Sequence, residues 1–487
     1  MEIAFQAMLA PVILSVGSLV LMMQIAFWRH STTSWLITCA TLAAAMLSLI
    51  SSSQVVPQVI TLLLISDHYS LFFSGLLLFA TLVTALLAKD YLQNRDGENE
   101  EFYLLLILSA LGALILVSST HLASFLLGLE LLGVALYALI AYPERGHLPL
   151  EAAVKYLILS GAASAILLFG FALIYAALGT LSFAEIGQKL ALTTSADQNL
   201  MIMMGSAMIF TGIGFKLSLV PFHMWTPDVY QGAPAPVTGF LATVSKGAIF
   251  AALMRFFLDA ELFQYNSLIL GLSIIAVASM LIGNLLALKQ NNMKRLLAYS
   301  SIAHLGYLII TLIVCTNQLQ VGFAIEAAGF YLTAYIVTTL AAFTLLSLIS
   351  SSKEVDEIDD IRGLFWRQPL LAFMFTVALL SLAGIPLTAG FIGKFYIFTV
   401  GIHGSLWWLL GALVIGSGIG IYYYLRIIFA MTMQQTESEQ QSVLPSKLSM
   451  VAKFVVCLLL FLMFYLGVLP QPLLEHLGTL SLETNVL

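Results

Sequence analysis

The chain has 487 residues, 60% hydrophobic and 9% charged, with a formal net charge of −6 and a mean hydropathy of +1.00. A soluble chain carries roughly a quarter charged residues, so a soluble multidomain protein is excluded, and without a basic run so is nucleic-acid binding through phosphate neutralisation. Cys39, Cys315 and Cys457 stand far apart in apolar runs, which excludes a disulfide framework and any cysteine-based metal or iron–sulfur motif.

The chain opens Met1-Glu2-Ile3-Ala4 without a basic leader, and its first apolar run reaches Trp28-Arg29 without a cleavage site, so this run reads as a retained span. A bilayer core of about 30 Å needs roughly 20 apolar residues per helix. Fourteen such runs follow, near 8–28, 35–53, 69–88, 102–118, 121–141, 151–176, 201–229, 234–257, 267–288, 295–315, 322–349, 370–401, 405–430 and 451–469. Continuous Leu- and Ala-rich runs lack the alternation of barrel strands. The expected fold is an all-α polytopic membrane protein.

Basic residues orient it. Of 19 Lys and Arg, thirteen fall at the connections after spans 1, 3, 5, 9, 11 and 13: Arg29, Lys89, Arg95, Arg145, Lys289, Lys294, Arg295, Lys353, Arg362, Arg367, Arg426, Lys447 and Lys453. Lys189 and Arg255 fall on the other side. The positive-inside rule places the thirteen in the cytoplasm and both termini outside it.

Four basic residues remain, Lys155, Lys216, Lys246 and Lys394, all within spans, together with Glu130 in span 5. Each ionisable group at a helix centre costs about 2.5–3.5 kcal/mol on the insertion scale. Five of them demand a use. They either pair off as helix–helix locks, with Lys155 near enough to the cytoplasmic end to snorkel, or they line a proton path. Glu130, Lys216 and Lys246 fall near midspan; His304 follows Ser300 and Ser301 on span 10, and Lys394 lies past the middle of span 12. Thr243, Tyr331 and Tyr335 offer bridging hydroxyls, and His223, seven residues beyond Lys216 on the same helix face, falls toward the cytoplasmic mouth.

Pro221 and Pro386 lie deep in spans 7 and 12, each removing an N–H and opposing the carbonyl four residues back, Leu217 and Leu382. Broken helices at membrane depth are tolerated where they are buried or line a cavity. The breaks lie five spans apart, so their helices cross in opposite directions, as in an inverted repeat. The expected units are 1–100 (spans 1–3), 101–260 (first repeat, spans 4–8), 261–432 (second repeat, spans 9–13) and 433–487 (a loop and span 14).

The stretch Gly214-Phe215-Lys216-Leu217-Ser218-Leu219-Val220-Pro221-Phe222-His223-Met224-Trp225-Thr226-Pro227-Asp228-Val229-Tyr230-Gln231-Gly232-Ala233-Pro234 resembles the signature of the antiporter-like subunits of respiratory complex I. Phe102–Leu105, His121–Ser124 leading to Glu130, Lys294–Ser301, Ser381–Pro386 with Gly390–Lys394, and Tyr422–Arg426 resemble further blocks of that family. The resemblance implies a proton-translocating subunit of NADH:quinone oxidoreductase, with Glu130, Lys216, Lys246 and Lys394 as carriers and Lys155 as an accessory charge. It also implies other membrane-arm subunits as partners, antiporter-like ones among them. NADH, FMN, iron–sulfur clusters and quinone would belong to those partners, with no cofactor, metal or redox centre in this chain. A subunit of a multisubunit cation/proton antiporter and a non-transporting assembly scaffold remain the alternatives.

Overall fold

The computed structural model describes residues 2–93, 98–142, 147–192, 196–349, 356–433 and 449–480. Arg95, Arg145, Lys353 and Lys447 lie outside the described residues. Apolar length dictates the architecture. Among the described residues, thirteen helices are long and apolar enough to cross a bilayer. Two half-helices, Pro369–Ala383 and Ala389–His403, make the fourteenth crossing.

Spans 1–6 are Leu9–Phe27, Ser31–Ser52, His68–Gln93, Glu100–Val117, Leu122–Ala141 and His147–Leu178. Span 7 runs Ala196–Lys216, and span 8 Ala235–Asp259. Spans 9–11 are Asn266–Leu288, Met293–Val314 and Val321–Ile349; spans 13 and 14 are Trp407–Thr432 and Met450–Val468. The expected order of fourteen crossings stands.

Spans 8 and 10 are buried around their whole circumference and span 11 nearly so, while spans 1, 2, 6, 9, 13 and 14 turn much of their surface outward. A helix that is apolar all round belongs in the interior. Close contact between spans rests on glycine in several places. A Cβ at Gly112 would come within 2.5 Å of the Leu132 amide nitrogen, and one at Gly128 within 2.7 Å of that of Leu116, so spans 4 and 5 meet backbone to backbone.

Span 7 is broken around Pro221, as expected: the helix ends at Lys216, and a short helix, Trp225–Gly232, follows. Two features depart from the sequence expectation. Span 8 carries a π-turn at Leu241–Ser245, directly before Lys246. Arg255, expected as a loop cation, is buried in the last turns of span 8, where its guanidinium donates to both Asp67 carboxylate oxygens at 2.8 Å. Beyond the spans, strands β1 (Gln58–Thr61) and β2 (Leu64–Ser66) pair antiparallel, and a short helix covers Phe183–Leu192.

Candidate functional site

The two broken spans deliver lysines to helix ends in different ways. Lys216 is the last residue of its helix, and Ser218, two residues on, takes a left-handed φ of 63°. At the second break Gly384 (φ 85°) and Leu387 (φ 73°) bracket the turn around Pro386. Left-handed backbone at a non-glycine residue is costly and persists where the surroundings enforce it. Lys394, six residues into the second half-helix, reaches back and donates to the carbonyls of Leu382 and Ala383, both at 2.9 Å. The Leu382 carbonyl, marked by the proline four residues later, is thus satisfied by an ammonium. Both lysines are buried and stand at the negative end of a helix dipole.

On the first side, Ser160 and Ser164 lie one turn apart on span 6. Lys216 Nζ donates to Ser160 Oγ at 2.6 Å, and Tyr137 Oη hydrogen-bonds with the same hydroxyl at 2.8 Å. Ser164 donates to the half-buried Glu130 carboxylate. Glu130 and Lys216 therefore face a common pair of serines, without a direct ion pair between them among the described contacts. A Cβ on Gly133 would stand 3.6 Å from both Lys216 Nζ and Tyr137 Oη, so the bare glycine leaves room beside the ammonium.

On the second side, Lys246 Nζ donates to Ser301 Oγ at 2.7 Å, and Ser301 hydrogen-bonds with Tyr335 Oη at 2.8 Å. One turn further along span 10, His304 Nδ1 hydrogen-bonds with Tyr331 Oη at 2.6 Å. Its Nε2 lies 3.5 Å from Tyr424 Oη, which also bonds Ser300. Tyr307 stacks edge-on to His304, and its ring lies 5.5 Å from Lys394 Nζ. Asn284 holds that ring, donating to Tyr307 Oη at 2.9 Å while accepting from Tyr423 Oη at 2.9 Å. Beyond the helix end at Lys216, Ser218 Oγ, Thr226 Oγ1 and both His223 ring nitrogens are buried without a hydrogen-bond partner among the described residues. Buried polar groups of this kind are ordinarily satisfied by ordered water.

Glu130 and Lys216 thus each meet a serine of span 6, Lys246 meets Ser301 and through it Tyr335, and His304, one turn further on, lies beside Tyr307, whose ring is near Lys394. Two sequence placements change, those of Thr243 and His223. Thr243 donates to the Gly239 carbonyl at 2.6 Å, within its own helix, instead of bridging to a neighbour. His223 shares no helix face with Lys216, because the helix ends between them. Lys155 lies at the exposed end of span 6, paired with Glu151 at 2.7 Å and Asp228 at 3.0 Å. Burial pushes the Asp228 carboxyl up, but hydrogen bonds from Arg295 and Lys155 outweigh it and hold it below the ordinary carboxylate value. Ser160, Ser164, Tyr137, Asn284, Tyr307 and Tyr424 were not singled out as site residues. The serine pair at helical spacing and the amide of Asn284 inside the apolar run of span 9 were the available signals.

Residues 119–420 match the family described as NADH:quinone oxidoreductase/Mrp antiporter, TM. The chain is 48% identical over 473 residues to NADH-quinone oxidoreductase subunit N of Methylococcus capsulatus, covering 97% of this chain and 94% of the relative. A chain of respiratory complex I from Thermus thermophilus, solved with bound aureothin, superposes with a TM-score of 0.81 at 35% identity, covering 96% of this chain and 98% of that one. A chain of the Mrp complex from Dietzia sp. DQ12-45-1b superposes with a TM-score of 0.85 at 18% identity, covering 98% and 96%, which speaks to fold alone.

Proposed function

The chain belongs to the NADH:quinone oxidoreductase/Mrp antiporter family, and we propose that it is a proton-translocating membrane-arm subunit of NADH:quinone oxidoreductase. The relative at 48% identity supports the oxidoreductase over a stand-alone cation/proton antiporter. In this reading the NADH, FMN, iron–sulfur clusters and quinone reside in partner subunits, and this chain handles protons alone. Its setting is a bacterial inner membrane with both termini periplasmic, and its two repeats cover spans 4–8 and 9–13.

The observation that carries the relay is the unbroken run Lys246–Ser301–Tyr335, with His304 one turn on and bonded to Tyr331 and Tyr424. Each hydroxyl can accept a proton from one neighbour and donate another onward. Glu130, Lys216, Lys246 and Lys394 are the groups that take up and release charge, and His304 relays between the last two. Protons cross from Lys216 to Lys246 past Ser218, Thr226 and His223, whose buried polar atoms suit a hydrated stretch. Glu130 acts on Lys216 through Ser164 and Ser160, so its charge sets how firmly Lys216 holds its proton. Lys155 serves as an accessory charge toward the cytoplasmic end of span 6.

The test is a double-mutant cycle on Glu130→Gln and Lys216→Ala, scored by turnover and by subunit content in the membrane. Members of one relay fail as a unit, so the double variant is expected to lose less than the product of the single losses while subunit content stays near normal. Losses that multiply, or singles that empty the membrane of subunit, mean that these charges merely lock helices.

A further inference from the structure

The short helix Trp225–Gly232 is held at both ends, by different parts of the molecule. At its start, Trp225 Nε1 donates to the Phe215 carbonyl at 2.9 Å, one residue before Lys216, and the Trp225 and Phe215 rings stack at 5.4 Å. At its end, span 10 takes hold. Lys294 Nζ donates to the carbonyls of Gln231 and Ala233 at 3.4 and 3.3 Å, satisfying acceptors that the end of a helix leaves open. Arg295 Nη1 donates to Asp228 Oδ1 at 2.7 Å and to the Gln231 side chain at 3.1 Å.

Asp228 is the centre of this grip. Its other oxygen accepts from Lys155 Nζ, so one carboxylate joins span 6, the short helix and span 10. Charge-assisted bonds of this kind are stronger than neutral ones and set position as well as energy. Five and six residues beyond Arg295 on the same buried helix are Ser300 and Ser301, about 8–9 Å along its axis, and Ser301 holds Lys246. Any displacement of the helix end at Lys216 therefore has a rigid path to the partner of Lys246: Phe215 to Trp225, along the short helix to Asp228 and Gln231, and through Lys294 and Arg295 into span 10.

We propose that the helix Trp225–Gly232 is a strut that links the two lysine sites mechanically, with Asp228, Lys294 and Arg295 as its positioning residues. The inference rests on the relay reading above, and adds to it the element by which proton release at Lys216 and uptake at Lys246 are kept in step. Neither Asp228 nor Arg295 needs to carry a transported proton. Their loss leaves both lysines with their own hydrogen-bond partners, but lets one move without the other.

The experiment uses the assembled oxidoreductase in proteoliposomes, with Asp228→Asn, Arg295→Gln, the double variant and Asp228→Glu. Protons translocated per quinone reduced are measured beside hydrogen exchange at residues 225–232 and 296–304. The expected result is a lowered proton-to-quinone ratio in both single variants with quinone reduction continuing, and faster exchange in both segments. The double variant should be no worse than the worse single, since both break the same Asp228–Arg295 pair. Asp228→Glu, which keeps the charge, should restore the ratio. An unchanged ratio despite faster exchange overturns the proposal and leaves the strut a packing element. A parallel fall of ratio, turnover and subunit content in every variant, Asp228→Glu included, also overturns it. Lys216→Ala is measured alongside: full pumping there removes the relay reading itself, whatever the Asp228 variants do.

Discussion

Lys394 does two jobs that substitution can separate. Its ammonium donates to two buried carbonyls at the end of a half-helix, Leu382 and Ala383, each at 2.9 Å. A hydrogen bond to a charged group contributes about 1.5–3 kcal/mol, so the pair steadies the break by about 3–6 kcal/mol. That is a large part of the 5–15 kcal/mol by which a typical domain is stable. Lys394→Ala removes both bonds and the proton carrier, so subunit content and turnover should both fall. Lys394→Arg supplies donors for the same carbonyls but effectively never releases its proton, its pKa exceeding about 12. Content should then recover while turnover stays at about a hundredth of wild type or less, the low end of what a positioned proton-transfer group contributes. The assay is quinone reductase turnover and proton pumping in inverted membrane vesicles, normalised to subunit content by immunoblot. An arginine variant with wild-type turnover would refute the reasoning, because a fixed cation would then suffice at the break.

Two further outcomes follow from the periphery. Breaking the buried Asp67–Arg255 pair by Asp67→Asn should cost about 3–5 kcal/mol and show as reduced subunit content on detergent or heat challenge. Burial raises the Asp67 carboxyl, yet Arg255 and Ser70 together bring it below its ordinary value, so its stabilisation is fully present above the ordinary carboxylate pKa. That contribution should disappear only as pH falls through the depressed value, and a melt against pH of wild type and variant checks it. Topology is tested by reporter fusions after Leu487, where a periplasmic reporter should be active and a cytoplasmic one silent. The reverse would mean that the thirteen-to-two split of basic residues had been misread.

The spans were legible because a bilayer leaves little choice: an apolar run of sufficient length can only cross as a helix. Pro221 and Pro386 located both breaks to within a few residues, and the carbonyl expected to be freed by Pro386 is one that Lys394 takes. The conformation of the breaks was not legible. Ser218 and Leu387 adopt left-handed backbone without being glycine, and only the surrounding packing can impose that. Nor did any residue type announce the π-turn at Leu241–Ser245, which lies in a segment buried on all sides. Ser160 and Ser164 escaped because serine in an apolar helix ordinarily bonds back to its own backbone, and nothing local tells which serine turns outward to a lysine. Arg255 read as a loop charge because its partner, Asp67, lies 188 residues away in the chain.

The most direct test of proton transfer through this chain is Lys216→Ala in the assembled complex, with proton pumping and quinone reduction recorded in the same vesicles. Lys216 is buried, ends its helix and meets Ser160 at 2.6 Å, so its loss removes the first carrier without unpairing any charge in a described ion pair. The expected result is a fall in both pumping and quinone reduction at near-normal subunit content. Wild-type pumping per quinone reduced, at wild-type turnover, would contradict it.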